Sequence, residues 1–360
     1  MLKKSKKIIH VVQHLRPGGI EVLALNMLKQ SKGNVFIVSL EGTEESAISD
    51  WEALVPYIDH ITFLNKKPGV SVRTILQLCR IYRQRQADVV HTHHIGPLLY
   101  GGLSAKLSRI KTIVHTEHDA WHLRKKKSRK LQNILLKMVS PKIIADAHHV
   151  SSELKKFFPS VSPEIIHNGI DTKIFKPFSK ERSRQYLGLP TEKQIIGCAA
   201  RLEEVKGHNV LLAAFSKIQD KDMYLALAGE GSLKKRLQEQ ACALGVEDRV
   251  IFLGHVNDMN MFYNAIDVFC LASYQEGFPL SPLEAQACGV PCVLSNVGGC
   301  GETIHEHTGI LVEAGNVTAL AHNLKNAFLL RNAVKIRGTI KKISDLSIMN
   351  KKYNEVYTSC

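Results

Sequence analysis

Val268-Phe269-Cys270-Leu271 opens a stretch that runs through Ser273-Tyr274-Gln275-Glu276-Gly277-Phe278-Pro279-Leu280-Ser281-Pro282-Leu283-Glu284 to Pro291-Cys292-Val293-Leu294. Two short apolar runs bracket a segment that starts like a helix. Ser281 suits an N-cap, Pro282 the first helical position, and Glu284 stands three beyond the cap, so these residues read as a capping box. Strand, helix and strand in that order make a crossover between parallel strands. Capping leaves Glu276 and its Gly277-Phe278-Pro279 loop unexplained. A carboxylate there can accept from sugar hydroxyls, while the amides of Gly277, Phe278 and Leu280 and the helix start offer donors to phosphate oxygens.

Outward from this unit the same alternation recurs. Residues 194–199, 223–228, 250–253, 268–271 and 291–294 read as strands with helical segments between them. Upstream, 8–13, 35–40, 60–64, 88–91, 112–116 and 142–145 repeat the pattern around helices at 21–30, 71–85 and 97–107. Between the two series, residues 168–193 are rich in turn formers and lack a long period. The expected organisation is α/β: a first Rossmann-like domain over 1–170, a linker over 171–193, a second domain over 194–343, and a helix over 344–360 packing towards the first domain. Two such units in series predict a ligand crevice at the carboxyl ends of their strands.

No apolar run approaches the roughly 18 residues that cross a bilayer. The lysine-rich start, residues 1–7, precedes an apolar stretch too short for a signal peptide, which makes the cytoplasm the expected compartment. The eight cysteines include no C-x-x-C pair and read as reduced, mostly buried thiols. Charge is one-sided. Residues 1–185 hold 31 Lys+Arg against 15 Asp+Glu, and the remainder holds 17 against 18, so the first half carries the whole net +15. Such a field attracts anionic lipid, nucleic acid or an acidic substrate. The segment 123–131, with Arg124, Lys125, Lys126, Lys127, Arg129 and Lys130, leads into Ile134 to Val139 and reads either as a solvated helix face over the core or as a basic amphipathic surface for anionic lipid.

Further candidates sit after strands. Arg201 and Lys206 are two cations five apart on a loop, placed to close on a diphosphate whose charge grows as it leaves. Gly229-Glu230-Gly231 ends a strand and permits either a nucleotide's approach or a tight turn. Gly18-Gly19 between a strand and a helix lets backbone N–H groups approach a phosphate or an acceptor. His91, His93, His94, His115 and His118 cluster near strand ends. No matching carboxylate or cysteine set accompanies them, so no metal site is assigned. Asp220-Lys221-Asp222 reads as a solvated turn, in keeping with a reaction that uses no metal.

Together these residues resemble the family 4 retaining glycosyltransferases of the GT-B fold, over nearly the whole chain. The resemblance rests on Gly18-Gly19-Ile20-Glu21, Asp88-Val89-Val90-His91-Thr92-His93, Thr116 with His118, Asn168-Gly169-Ile170-Asp171, Arg201 with Lys206, Gly229-Glu230-Gly231, and above all the E-x7-E pair Glu276 and Glu284. It implies a hexosyltransferase that needs no cofactor or metal and takes a nucleotide-diphosphate sugar, with UDP the family's commonest carrier. Glu284 would hold the ribose. Glu276, Gly277, Phe278, Pro279 and Leu280 would engage the sugar and phosphates, and Arg201 and Lys206 the diphosphate. His118 would face the sugar. The implied acceptor is a glycan or lipid-linked molecule, in polysaccharide or glycolipid synthesis at a membrane's inner face.

Three rival classes share some of these features. An epimerase or inverting transferase on the same fold differs in product configuration. A nucleic-acid binder would interleave aromatics with its basic runs, and no recognition module is present. An NAD-dependent oxidoreductase would carry G-x-G-x-x-G, which Gly18-Gly19 does not supply.

Overall fold

A computed structural model describes residues 6–31, 33–330 and 332–359, so residues 1–5 of the lysine-rich start lie outside the described part. The chain divides into two compact units, one built from residues 1–168 with 347–360 and the other from residues 169–346.

The first unit carries seven parallel strands: β1 (Ile8–Val12), β2 (Val35–Ser39), β3 (Ile61–Phe63), β4 (Val89–His93), β5 (Thr112–Glu117), β6 (Lys142–Ala145) and β7 (Glu164–Ile165). They lie in the order β3-β2-β1-β4-β5-β6-β7. The central β1 sets Ile8 beside both Val35 and Val89, and every residue of β1, β4 and β5 is buried. Full burial is the rule for parallel strands covered by helices on both faces. Here, unusually, it takes in His10, His91, His93, His115 and Glu117 along with the aliphatics.

The second unit has six parallel strands: β8 (Gln194–Ala199), β9 (Met223–Ala228), β10 (Val250–Gly254), β11 (Val268–Leu271), β12 (Cys292–Ser295) and β13 (Gly309–Val312), in the order β10-β9-β8-β11-β12-β13. Ile195, Ile196, Leu225, Leu227, Phe269 and Val293 form its core with Phe215 and Phe262 from the covering helices. β7 and β13 have no counterpart among the expected strands. One is two residues long and the other opens on Gly309 with only three apolar residues after it, too short for periodicity to register.

Three local expectations are corrected. Segment 97–107 is no single α-helix: a π-helical turn, Leu98–Gly102, interrupts it where Gly101 packs against Val11 and Thr92. Segment 171–193 is no bare linker. It forms the helix Lys180–Leu187 within the second unit, where Arg184 reaches Asp267 at 2.9 Å and the carbonyl of Ala265 at 2.8 Å. Ser281 is no N-cap. Leu280 precedes the helix Ser281–Ala287 with φ −83° and ψ −34°, so the helical turn has begun before the serine and no side chain caps it.

The last helix, Leu346–Thr358, contributes Tyr353 and Tyr357 to the first unit. Their hydroxyls lie 3.1 Å from Thr116 Oγ1 and 2.7 Å from His91 Nδ1. The seven described cysteines are all free thiols, six of them buried.

Candidate active site

In the second sheet β8 and β11 are neighbours, yet the chain leaves them in opposite directions, towards β9 and towards β12. At such a switch point neither crossover covers the carboxyl edge, and a crevice opens there. The loops that border it hold the predicted residues.

Glu276 follows β11 and is only 6% exposed. Its Oε1 accepts from Lys206 Nζ at 2.7 Å and from Ser273 Oγ at 2.6 Å. Lys206 comes from the loop after β8, and Tyr274 N donates to Val205 O at 2.8 Å, so the two loops are tied by backbone as well as by charge. The loop after β12 closes the third side. Gly299 N donates to Gly277 O at 2.7 Å, and Gly298, at φ +53°, lies so close that a Cβ would stand 1.7 Å from Glu276 O. Only glycine satisfies both the dihedral and the approach.

Gly229, after β9, makes a similar approach: at φ +138° an added Cβ would stand 2.1 Å from Ala200 O. Leu202 N donates to Glu230 O at 2.9 Å, which joins the Gly229-Glu230-Gly231 turn to the Arg201 loop. Neighbouring backbone therefore demands glycine at this turn. Arg201 and Glu230 are exposed, and Glu230 pairs with Lys234 at 3.2 Å. The structure thus joins Lys206 to Glu276, while Arg201, on the same loop after β8, is exposed. Phe278 and Pro279 are buried beneath the loop, with Gly277 and Leu280 half-buried.

Glu284 points from the helix to Tyr263, whose hydroxyl donates to its Oε2 at 2.6 Å. Burial pushes the Glu284 carboxyl up to about 7 against the opposing pull of that hydrogen bond. Tyr263 and Ser273 were not foreseen. Tyr263 lies a whole crossover away in sequence, and a serine after a strand carries no signal of its own. Asp220 and Asp222 precede β9, at the opposite edge of the sheet from these loops, where Asp222 pairs with Lys193.

The first sheet has its own switch point between β1 and β4. Gly18 and Gly19 stand after β1 at the start of the helix Gly19–Gln30, with the buried Glu21 carboxylate 3.4 Å from His14 Nδ1. His118, just past β5, has both ring nitrogens engaged: Nδ1 lies 3.0 Å from Asp146 Oδ2 and Nε2 lies 3.0 Å from His93 Nδ1. The other histidines form one network. Nitrogens of His10, His91 and His93 fall within 4.8 Å of one another, a spacing a metal could use. His91 lies between Tyr357 and Thr116, and His10 Nδ1 lies on His93.

The basic helix Lys126–Val139 buries Gln132, Leu135, Leu136 and Val139. Leu131, Ile134 and Met138, which share a face at helical spacing, are instead 39%, 54% and 56% exposed beside exposed Lys126, Lys127, Lys130 and Lys137. Among the described residues no helix is long and apolar enough to cross a membrane.

Two parallel α/β sheets in series, the second with a carboxylate and an ammonium held at its switch point, are the architecture of the GT-B class. Comparison with known proteins gives the family. Residues 17–174 match the family described as Glycosyltransferase Family 4, and residues 179–342 match Glycosyl transferases group 1. The chain belongs to the family 4 glycosyltransferases of the GT-B fold. It is 25% identical over 335 residues to the Escherichia coli UDP-Gal:alpha-D-GlcNAc-diphosphoundecaprenol alpha-1,3-galactosyltransferase, covering 88% of this chain and 87% of that one. With the lipopolysaccharide core mannosyltransferase LpsB of Rhizobium meliloti it shares 28% identity over 70% of this chain and 72% of that one. The crystal structure of Anabaena HepE in complex with UDP superposes with a TM-score of 0.85, covering 98% and 100% of the two chains at 20% identity.

Proposed function

We propose that this glycosyltransferase takes a UDP-linked sugar and passes it, with retention of configuration, to a glycan or lipid-linked acceptor at the inner face of a membrane. The observation that carries the reading is the Lys206–Glu276 pair at the switch point of the second sheet. A buried carboxylate fixed in direction suits sugar hydroxyls, and a neighbouring ammonium suits the charge that gathers on a departing diphosphate. A relative whose name specifies UDP-galactose, and a structural neighbour that binds UDP, support the carrier.

In this reading Glu284 takes the ribose, and Arg201 and Lys206 take the diphosphate. Gly229 and Glu230 border the nucleotide, and Glu276 with the loop Gly277, Phe278, Pro279 and Leu280 takes the sugar and phosphates. Gly18, Gly19 and His118 serve the reaction from the first unit. The acceptor hydroxyl attacks the anomeric carbon on the face that the leaving group vacates. The bond from that carbon to the phosphate oxygen breaks, the acceptor's proton passes to a diphosphate oxygen, and UDP departs. No carboxylate becomes covalently attached and no metal is required.

Proton NMR of the product formed from a UDP-sugar chosen by thermal-shift screening tests the reading. Retained configuration and full turnover in EDTA are expected. An inverted product, or no nucleotide sugar that raises the melting temperature, refutes it.

The membrane part rests on the helix Lys126–Val139. Its lysines match anionic headgroups at roughly 1 kcal/mol each near the surface, and its exposed Leu131, Ile134 and Met138 suit the headgroup–acyl boundary.

A further inference from the structure

The first unit holds a line of buried polar side chains of which the reading above uses only His118. Asn168 Nδ2 donates to Asp146 Oδ2 at 3.0 Å, and His118 Nδ1 lies 3.0 Å from the same oxygen. His118 Nε2 is 3.0 Å from His93 Nδ1, and His93 Nε2 is 3.0 Å from His10 Nδ1. His93 stacks on both its neighbours with ring centroids 5.3 Å apart. His10 lies on β1 and His93 on β4. His118, Asp146 and Asn168 follow β5, β6 and β7, and all five are buried.

Each neutral imidazole donates from one nitrogen and accepts at the other, so such a line has a direction. In one sense the Asp146 carboxylate receives the Nδ1 proton of His118, whose Nε2 accepts from His93 Nδ1. His93 Nε2 then accepts from His10 Nδ1, and the line ends on the bare Nε2 of His10. The other sense takes up one more proton: His118 donates from both nitrogens, and the line ends on an N–H of His10. That terminal nitrogen is buried with no hydrogen-bond partner. A buried N–H without an acceptor is the rarer and costlier orphan.

We infer that His93 and His10 are positioning residues that, with Asp146 as anchor, hold His118 in one orientation as a neutral imidazole with its proton on Nδ1. The inference rests on the reading of His118 as the residue that faces the sugar. A glycosyl centre gains positive charge as its leaving group departs. A fixed neutral ring backed by a carboxylate suits that centre, whereas a doubly protonated ring would oppose it.

The test uses the full-length enzyme, labelled with 15N-histidine, in wild-type form and as His93→Phe, His93→Gln and Asp146→Asn. In the wild type the His118 signals should report a single neutral form protonated at Nδ1. His93→Phe removes the donor to His118 Nε2. It should mix the His118 tautomers and lower kcat roughly ten- to a hundred-fold, the scale of a small misplacement, with donor KM within about twofold. His93→Gln, which can still donate, should recover much of both. Asp146→Asn should mix the tautomers even if the phenylalanine variant does not fold. A wild-type His118 protonated on both nitrogens at neutral pH overturns the inference, as does a folded His93→Phe with unchanged spectrum and kcat. His118→Ala separates the two layers: wild-type turnover overturns the sugar-facing role and this inference together. An inactive His118→Ala beside a fully active His93→Phe overturns the inference alone.

Discussion

Lys206 Nζ and Ser273 Oγ converge on one oxygen of Glu276, at 2.7 Å and 2.6 Å. The lysine belongs to the loop after β8 and the glutamate to the loop after β11, so this oxygen ties together the two loops bordering the switch point. A carboxylate so held keeps its direction before any sugar arrives, and orientation of that kind is a large part of what a transferase supplies.

Glu276→Ala should abolish transfer while leaving UDP affinity within about threefold. Turnover on a nucleotide sugar and calorimetric titration with UDP check the two halves. Lys206→Ala should weaken UDP binding roughly ten- to a hundred-fold, the equivalent of about 1.5–3 kcal/mol for a charge-assisted contact. Unchanged UDP affinity would remove Lys206 from the diphosphate site.

Gly298→Ala should behave much like the loss of Glu276. Its Cβ would fall 1.7 Å from the Glu276 carbonyl, and the dihedral of +53° disfavours alanine. The loop must therefore shift. We expect transfer to fall at least roughly a hundred-fold with the core of the unit intact. Circular dichroism melting alongside turnover reads this out, and a fully active variant would show that the loop geometry is not critical.

Glu284 makes folding depend on pH. Its carboxyl is raised to about 7 when folded, chiefly by burial, from the ordinary glutamate value of 4.5. Through that interval the folded chain binds more protons than the unfolded one, so this residue lowers stability as pH rises from about 4.5 to 7. Glu284→Gln should match the wild type in urea at about pH 4.5 and exceed it at about pH 8. Because the neutral amide loses a charged acceptor for the ribose, it should also bind UDP more weakly. Parallel pH profiles for the two proteins would contradict the assignment.

Replacing Leu131, Ile134 and Met138 with serine should leave melting nearly unchanged, because all three are exposed. It should lower association with vesicles of phosphatidylcholine and phosphatidylglycerol roughly a hundred-fold or more. Changing Lys126, Lys127, Lys130 and Lys137 to glutamine should remove the salt-sensitive part of the same binding. Wild-type protein that ignores such vesicles at low salt would refute membrane docking.

Reading along the chain located the repeating strands and the loop residues Glu276 and Lys206, because each follows a strand whose period is visible within a few residues, and it placed Glu284 in the helix after them. The same reading misjudged Ser281. A capping box is a pattern of residue types, whereas capping depends on the dihedrals of Leu280, and the loop from Glu276 sets those. It also gave no sign of Tyr263, because proximity to Glu284 arises only when two covering helices pack on the same sheet.

The amino-acid order by itself determined two α/β halves, the carboxylates and cations at strand ends, and the basic character of the first half, since periodicity, charge and turn chemistry are local properties. Tertiary structure alone decided which of those groups meet. It set Lys206 on Glu276, lined His10, His93 and His118 up on Asp146, and turned Ile134 and Met138 outward. The physical reason is that parallel strands adjacent in a sheet are far apart in sequence, so their ends converge only when the sheet order is fixed.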